Sequence, residues 1–493
     1  MPGSDRPLLE PPPEALDILS RLRQAGFEAL ICGGAVRDAL LGKKPKDFDL
    51  ATSAPPDRVE RLFPKTIPVG KAFGIILVEG AAGGHYEVAT FRRESGYADG
   101  RRPDEVVFAS AEEDARRRDF TMNALFYDPF ADRIIDYVGG AADIGRRLIR
   151  TVGVPAERFR EDRLRLFRAV RFAARTGFRL AAATRLAAAE LAGLAAGVSP
   201  ERAAAELEAM LLDGHSEDAF ALLREIGLLR VVLPEIDALA GVAQPPEFHP
   251  EGDVWLHTLL LLRENDLARR GETAALDFSA GRNPATAKGM DAGSFAGAEY
   301  LAGVRECREA LDPEQERILA WSALLHDIGK PATLTLGDRI RFNEHDSLGA
   351  QMADAALERL RRPRRLIGGV HDLIRRHIHF STLRQMRKAK LRRWLGEADF
   401  AVHLELHRLD CLASHRMLGN WFFGLNAWRE EKARPPRPEP LLRGGDLLRL
   451  GVAPGPEVGR LLRLAEDARL EGEMANRDEA LAWIGKRLGT FRP

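Results

Sequence analysis

Two glycines and two carboxylates near the N-terminus have the spacing of a nucleotide and metal site. The apolar run at residues 29–32 predicts a strand that ends at Gly33 and Gly34. After a short helix, Asp47 and Asp49 lie in a second predicted strand. Side chains alternate along a strand, so both aspartates share a face, roughly 7 Å apart, and their oxygens suit Mg²⁺. The glycines and the helix start after them offer backbone N–H groups to phosphate. This stretch predicts phosphoryl or nucleotidyl transfer.

Further charged residues extend this pattern. Arg37, one turn into the helix, can pair with a triphosphate as a planar fork. Glu87, in a β-rich run, is either a third metal carboxylate or an exposed strand residue. Arg117 and Arg118 can neutralise triphosphate charge, and we expect Asp119 to support one of them. The polar, Gly-containing stretch at 92–108 between these groups predicts a mobile loop.

A second charged motif follows where the composition changes. From about residue 154 to 235, Ala, Leu and Arg recur with helical periodicity. Glu161, Asp162 and Arg165 have spacings that place them on one face of a single predicted helix. An ordinary intrahelical ion pair explains this spacing equally well.

Histidines and aspartates form a third pattern between residues 251 and 410. His257 lies on one apolar helix, His326 and Asp327 end another, and Asp410 lies on a third, with His345, His371 and His377 between them. Imidazoles and carboxylates facing inward from several helices suit a divalent metal. A histidine on an apolar helix is more often a core residue, but the adjacent His326 and Asp327 favour a metal site or its degenerate relic.

Composition sets the broad class. With 493 residues, 45% hydrophobic and 30% charged, we expect several folded domains. Without an apolar run of membrane-spanning length or a signal-like N-terminus, and with three scattered cysteines, the sequence predicts a cytoplasmic protein with no membrane partner. The net charge of zero counts mildly against nucleic-acid binding, yet residues 358–394 hold thirteen Lys and Arg against two acids. Solvated helix faces are the alternative explanation.

Five separated motifs resemble one family. GGAVRDALLG with DFD, RRDFTMNAL, DYVGGAAD, EDRLRLFRAVRFAARTGF and VSPERAAAELEAML are similar, in this order, to motifs of the class II tRNA nucleotidyltransferases. That family holds the CCA-adding enzymes and bacterial poly(A) polymerases. HPEGDVW, LLHDIGKPAT and NEHDSLGA resemble the HD domain attached to many such enzymes.

The resemblance implies a polymerase beta-like α/β head with a mixed sheet, followed by a mostly helical neck, body and HD domain. We expect a head over 1–152, a helical neck that binds RNA and the nucleotide base over 153–246, an HD domain over 247–425 with an insertion near 268–312, and a helical tail over 426–493. The stretch at 273–300 predicts a loop within that insertion.

The resemblance also implies roles for the residues. Asp47 and Asp49 would bind Mg²⁺ for catalysis, and Glu87 remains the further candidate for a catalytic carboxylate. Asp162 with Arg165 would read the incoming base of CTP or ATP, with Glu161 orienting Arg165. The predicted nucleotide-binding residues are Gly33, Gly34, Arg37, Arg117, Arg118, Asp119, Glu161, Asp162, Arg165 and Arg168. A second divalent metal would be held by His257, His326, Asp327 and Asp410. tRNA is the implied partner, and the oligomeric state stays open.

Several functions remain in competition. CCA addition to tRNA leads, because the 92–108 stretch is long and its RRPDEV resembles the CCA-adding form; addition of the terminal A alone and poly(A) synthesis stay open. A metal-dependent phosphohydrolase whose HD domain carries the main activity is the second hypothesis. An RNA-binding protein with an inactive head is disfavoured, because no charged position of the head motifs is lost.

Overall fold

The computed structural model describes residues 8–95, 105–272, 297–435 and 439–489. The chain forms two compact units, Met1–Asp237 with Arg359–Arg361, and Ala238–Glu358 with Arg362–Pro493. The first unit begins with a mixed α/β head and continues as helices, while the second is mostly helical, which confirms the predicted fold class. Among the described helices, none combines the length and the apolar character needed to cross a membrane.

The head is built on a mixed sheet. Its strands are β1 (Ala29–Cys32), β2 (Asp49–Thr52), β3 (Thr66–Gly70), β4 (Ile75–Glu79), β5 (His85–Thr90), β6 (Arg92–Ser95), β7 (Glu105–Phe108), β8 (Leu125–Asp128), β9 (Arg133–Asp136) and β10 (Leu148–Ile149), and its helices are α1 (Pro13–Gln24), α2 (Gly34–Leu40), α3 (Pro56–Leu62), α4 (Ala111–Arg117) and α5 (Gly140–Gly145). Seven strands form one sheet in the order β3-β4-β5-β2-β1-β8-β9. β2 and β5 run parallel, and the other neighbours run antiparallel. Phe91 and Phe126 pack edge to face beneath it, with ring centroids 5.8 Å apart.

Two local predictions in the head are wrong in part. The strand predicted from Asp47 begins at Asp49, because Cys32 and Asp49 are the last pair of the β1–β2 ladder and the chain turns at Gly33. Asp47 therefore precedes the strand. The stretch predicted as a loop at 92–108 carries the antiparallel pair β6 and β7 at its two ends, and residues 96–104 lie outside the described part of the chain.

A helical region completes the first unit. It contains α6 (Pro155–Glu161), α7 (Arg165–Thr176), β11 (Arg179–Leu180), α8 (Ala182–Glu190), α9 (Pro200–Leu212), α10 (Ser216–Glu225), α11 (Leu229–Val232) and α12 (Pro234–Asp237). The prediction of one helix through Glu161, Asp162 and Arg165 is wrong, since α6 ends at Glu161 and α7 starts at Arg165. Asp162 has extended backbone, φ −136°, and its Oδ1 accepts a hydrogen bond from Leu164 N at 3.1 Å. Such a local side-chain bond competes with the helical one.

The second unit surrounds a core of aromatic side chains. Its elements are α13 (Val254–Arg269), α14 (Gly297–Glu309), α15 (Pro313–Leu325), α16 (Lys330–Thr333), β12 (Leu334–Leu336), β13 (Ile340–Phe342), α17 (His345–Arg359), α18 (Arg364–Arg376), α19 (Lys388–Leu395), α20 (Phe400–Ala413), α21 (Gly419–Lys432), α22 (Gly444–Arg449), α23 (Pro456–Glu471) and α24 (Arg477–Gly489). Phe380, Phe400 and Trp421 are fully buried in the core between α14, α20 and α21. α13 and α14 flank the predicted insertion, of which residues 273–296 lie outside the described residues. The domain boundaries predicted at 152, 246 and 425 stay predictions.

Candidate functional site

A cleft of about 750 Å³ in the first unit collects most of the head residues that the sequence singles out. These lining residues are Gly33, Gly34, Arg37, Asp49, Glu87, Arg117, Arg118, Asp119, Asp162, Arg165 and Arg168, joined by Cys32, Leu50, Phe73, Ala89, Arg92, Asn123, Phe172 and Arg202. Of the predicted head residues, Asp47 and Glu161 are not part of this lining. The cleft thus combines carboxylates from the central strands β2 and β5 with several surrounding guanidinium groups.

The carboxylates come from neighbouring strands of the sheet. Because Leu50 pairs with Val88 in the parallel β2–β5 ladder, Asp49 and Glu87 stand side by side. Burial raises the pKa of both carboxyls, and the charge of Asp47 raises each further, while Arg118 partly opposes the shift at Asp49. A cation would relieve this repulsion, and carboxylate oxygens are the ligands that Mg²⁺ prefers. The residues present therefore fit a divalent ion.

The β1–α2 junction supplies backbone and an arginine to the cleft. Gly33 has φ +71°, and a Cβ there would lie 3.2 Å from Arg118 Nη1 and 3.8 Å from Asp49 Oδ2, so glycine lets these groups come close to the turn. Arg37 is buried, and its guanidinium donates to Asp38 Oδ1 and to Asn123 Oδ1, each at 2.8 Å. Two partners hold this arginine before any ligand arrives.

Asp114 fixes the two arginines that follow α4. Arg117 Nε donates to Asp114 Oδ1 at 2.8 Å, and Arg118 Nε donates to Asp114 Oδ2 at 3.1 Å. Burial opposes ionisation of Asp114, but the two guanidinium groups hold the pKa of its carboxyl below the ordinary value. The expectation that Asp119 supports one of these arginines is wrong. Arg117 and Arg118 follow Asp114 by three and four positions, and these are the positions of a helix whose side chains meet.

Asp119 instead joins the cleft to α7. Its Oδ2 accepts from Arg168 Nε at 2.8 Å, and its Oδ1 accepts from Phe120 N at 2.7 Å and Asn123 Nδ2 at 3.2 Å. Since Asn123 also accepts from Arg37, a continuous hydrogen-bonded chain runs from Arg37 to Arg168 across the cleft floor. These bonds keep two cations of the cleft in fixed positions.

The motif at the α6–α7 break is held by two separate sets of contacts. Arg165 Nη1 donates to Glu161 Oε2 at 2.7 Å, as predicted for an orienting glutamate. Asp162 is bound by Arg202 from α9, whose Nη2 lies 3.1 Å from each carboxylate oxygen. A carboxylate and a guanidinium thus line the same cleft on a rigid support.

In the second unit, side chains from several elements converge as the sequence predicts. His257 Nε2 lies 3.2 Å from His326 Nε2 and 3.2 Å from Asp410 Oδ1, and His326 Nε2 lies 3.2 Å from Asp327 Oδ2. The other oxygen of Asp327 lies 3.8 Å from His345 Nε2. His377 Nε2 follows at 3.4 Å from His345 Nε2, whereas His371 pairs with Asp354 at 2.8 Å. Six potential ligands, Asp327 among them, therefore form one cluster.

Each of the four histidines is oriented by an acceptor at Nδ1, while its Nε2 faces the other members of the cluster. The Nδ1 atoms of His257, His326, His345 and His377 face Glu251 Oε1 at 2.8 Å, Ala323 O at 3.2 Å, Phe342 O at 2.8 Å and Ile374 O at 2.5 Å, respectively. An acceptor at Nδ1 selects the tautomer whose Nε2 lone pair points inward, as in metal-binding histidines. Lys330 Nζ lies 2.7 Å from Asp327 Oδ2 and 2.6 Å from Gln244 Oε1. The donor set fits a divalent transition metal.

Sequence reasoning missed several of these residues. Asp114 precedes Arg117 and Arg118 by three and four positions, so helical spacing could have identified it. Helical spacing does not identify Asn123, Arg202 or Glu251, because their partners lie far along the chain or across a turn. The assigned roles of all these residues stay predictions.

Comparisons with known proteins agree with this arrangement. Residues 29–150 match the family described as Poly A polymerase head domain, residues 177–239 match "Probable RNA and SrmB- binding site of polymerase A", and residues 296–410 match the HD domain. These three matches, together with the mixed sheet and its cleft, define a protein built on a nucleotidyltransferase head.

The similar proteins identify the family. A CCA-adding enzyme of Bacillus licheniformis is 35% identical over 387 residues, which cover 69% of this chain and 95% of the relative. One from Geobacillus thermodenitrificans is 46% identical over 272 residues, 54% of this chain and 63% of the relative. One from Geobacillus kaustophilus is 50% identical over 224 residues, 45% of this chain and 54% of the relative, so the match spans little more than half of that protein. The chain belongs to the family of the CCA-adding enzymes.

Solved structures show the same likeness over nearly the whole chain. The crystal structure of the Bacillus stearothermophilus CCA-adding enzyme in complex with CTP has a TM-score of 0.66 and 29% identity, and the match covers 98% of this chain and 99% of that one. The Thermotoga maritima CCA-adding enzyme complexed with tRNA, 17% identical, has a TM-score of 0.56, covers 98% and 97% of the two chains, and shows the fold alone.

Proposed function

We propose that this protein is a cytoplasmic, template-independent tRNA nucleotidyltransferase that adds CCA to tRNA 3′ ends from CTP and ATP. The observation that carries this proposal is the cleft of the first unit, which combines the carboxylates of Asp49 and Glu87 with the α6–α7 pair of Asp162 and Arg165. The CTP bound in the similar Bacillus stearothermophilus structure belongs to that protein and supports the same nucleotide substrate here.

The reacting end of the cleft is defined by charge. Asp47 and Asp49, with Glu87, would hold Mg²⁺, which when bound polarises the α-phosphate and lowers the pKa of the attacking 3′-hydroxyl. Arg37 and Arg118, held in place by Asn123 and Asp114, offer donors for the negative triphosphate and for the pyrophosphate that leaves. Because these groups are positioned before substrate binds, they lose little conformational freedom on binding.

The other end of the cleft would choose the base. Cytosine and adenine each present an amine donor next to a ring-nitrogen acceptor, whereas uracil and guanine present a carbonyl and an N–H. The Asp162 carboxylate accepts and the Arg165 guanidinium donates, so the pair complements C and A and repels U and G. Addition of the terminal A alone, or poly(A) synthesis, would use the same chemistry.

The decisive experiment supplies Mg²⁺ and a tRNA lacking its three terminal nucleotides with CTP, ATP, both, or UTP and GTP. Extension by three residues with CTP and ATP supports the proposal; one A added only to a tRNA ending in CC, or long A tails, would assign the related activities.

A pair of variants tests the metal assignment. Asp49→Asn should lower the rate of nucleotide addition by at least about 100-fold, while Asp17→Asn on the exposed face of α1 should leave it unchanged. Full activity of the Asp49 variant would contradict the metal assignment.

A second candidate function belongs to the second unit. We propose that His257, His326, Asp327 and Asp410, extended by His345 and His377, hold divalent metal for phosphoester hydrolysis. The inward orientation of all four Nε2 atoms favours this role over that of ordinary core histidines. Lys330 adds a cation beside Asp327 for a substrate phosphate.

Metal content tests this candidate without assuming a substrate. The wild-type protein dialysed against Mn²⁺ or Ni²⁺ should retain metal, and Asp327→Asn should lose it while keeping nucleotidyl transfer. His371→Ala, whose side chain pairs with Asp354 outside the cluster, is the matched control and should keep its metal. Equal metal content in the Asp327 variant would refute the site.

A further inference from the structure

Arg202 is the side chain that holds Asp162 in the cleft. Its Nη2 atom lies 3.1 Å from both Oδ1 and Oδ2 of Asp162, although the two residues are forty positions apart in the chain. Leu164 N donates to the same Oδ1 at 3.1 Å. The Asp162 carboxylate therefore has a defined position and accepts hydrogen bonds at both of its oxygens.

Arg165 is held by different groups. Its guanidinium donates to Glu161 Oε2 at 2.7 Å, to Arg158 O at 3.1 Å and to Arg117 O at 3.3 Å. Arg158 O also accepts from Asp162 N at 3.3 Å, but none of these groups contacts the Asp162 carboxylate in the described hydrogen bonds. The two side chains of the proposed base-reading pair are therefore held by different partners, that of Arg165 through α6 and that of Asp162 through α9.

We propose that Arg202 is a specificity-determining positioning residue, which fixes Asp162 as the acceptor for the exocyclic amine of C or A. The inference rests on the proposed nucleotidyl transfer. A carboxylate that already accepts from a guanidinium presents only lone pairs to the base, so the carbonyl of U or G meets repulsion. Without Arg202, only Leu164 N among the described residues still holds one oxygen of Asp162, so the carboxylate gains freedom to rotate and the repulsion weakens.

A purely structural role for Arg202 is the main alternative. However, α7 and α9 are already joined by another ion pair, in which Arg171 Nε donates to Glu206 Oε2 at 2.6 Å. That pair lies outside the residues that line the cleft. Arg202 lines the cleft directly, which places its charge where a nucleotide would be read.

The experiment compares Arg202→Ala and Arg202→Lys with wild type on a tRNA that awaits a C. We expect the ratio of kcat/KM for CTP to that for UTP to fall at least tenfold in the alanine variant and less in the lysine variant, which keeps the charge but not the fork. KM for tRNA should stay unchanged. Arg171→Ala is the matched control and should keep the wild-type ratio.

A double-mutant cycle then tests whether Arg202 acts through Asp162. In an Asp162→Asn background, Arg202→Ala should change the CTP-to-UTP ratio no further. An unchanged ratio in folded Arg202→Ala, an equal loss for CTP and UTP, or full additivity with Asp162→Asn would overturn the proposal. If the alanine variant does not fold, the lysine variant decides by the same ratio. Absence of all nucleotide addition by wild type would instead refute the proposed function.

Discussion

At the scale of residues, Asp114 matters to the cleft because it holds two of the arginines that line it. It is 2% exposed and accepts from both Arg117 and Arg118. Asp114→Asn would remove the carboxylate charge that two partly buried guanidinium groups share. We expect a loss of about 3–5 kcal/mol in the free energy of unfolding. Urea denaturation of the variant, together with KM for CTP, which should rise, measures both consequences.

The same helix offers the control for this prediction. Glu112 and Arg116 form an exposed ion pair at 2.6 Å, also on α4. Glu112→Gln should cost less than about 1 kcal/mol, because water screens exposed pairs. If the two variants lost the same stability, the buried position of Asp114 would not matter.

Residue chemistry could be predicted from the sequence only where partners are close in the chain. Glu161 and Arg165, four positions apart, were paired correctly. Helical spacing places Asp162 on the same helix as Arg165, because spacing alone does not show that the Asp162 carboxylate accepts from Leu164 N and from Arg202. Partners that only folding brings together have no signature in spacing.

At the scale of elements, α5 meets the turn before β8 without room for a side chain. A Cβ on Gly140 would lie 2.1 Å from Thr121 O and 3.1 Å from Leu125 Cδ2. Gly140→Ala must therefore move the backbone that carries Asn123. We expect a loss of about 1–3 kcal/mol of stability, measured by thermal unfolding, and slower nucleotide addition.

Gly145, at the end of the same helix, provides the comparison. Apart from its chain neighbours and the backbone of its own helix, no heavy atom of the described residues lies within 4 Å of the position its Cβ would take. Gly145→Ala should leave stability unchanged or raise it slightly. A similar loss in both variants would show that helix composition, rather than the contact with Thr121, limits this element.

Elements themselves were predictable where pattern and length agree. The strand over Ala29–Cys32, the helices that carry His257 and Asp410, and the helix that ends just before His326 appear as predicted, because apolar periodicity determines which face is buried. The ends of elements could not be predicted in the same way. The start of β2 at Asp49, for example, depends on where its partner strand β1 ends.

At the scale of the whole molecule, one half-buried histidine should make the second unit sensitive to acid. His407 stacks on Phe380 with ring centroids 4.6 Å apart. Burial, with His415 and His377 adding to it against the effect of Asp410, lowers the pKa of His407 to about 4. The unfolded chain binds this proton below about pH 6.5 and the folded chain only near pH 4. The contribution of His407 to stability is therefore fully present above about pH 6.5 and is lost, by about 1.4 kcal/mol per pH unit, as the pH drops towards 4.

His407→Phe preserves the stacked ring and removes the proton site. Its unfolding temperature should fall less than that of wild type between pH 7 and pH 5, when the two are compared by differential scanning calorimetry. His85→Phe, an exposed position in the head, is the control and should follow wild type. An identical fall in the His407 variant would assign the acid sensitivity to other groups.

The zero net charge of the chain conceals an uneven distribution, which bears on the proposed tRNA partner. Arg387, Lys388 and Lys390, at the start of α19, are exposed and have no ion-pair partner among the described residues. If they contact the phosphate backbone, replacing all three by Ala should weaken tRNA binding and reduce the slope of log K against log salt by about 2–3. Fluorescence anisotropy at several salt concentrations measures both quantities.

Three other exposed arginines separate a local contact from the effect of net charge. Arg434, Arg443 and Arg460 pair with Glu431 at 3.3 Å, Glu439 at 2.6 Å and Glu457 at 2.5 Å. Their triple replacement by Ala removes the same three charges from the same unit, but those charges are already matched by carboxylates. Its salt slope should stay close to that of wild type. Equal slopes in the two triple variants would mean that tRNA responds to total charge, and the surface at α19 would lose its assigned role.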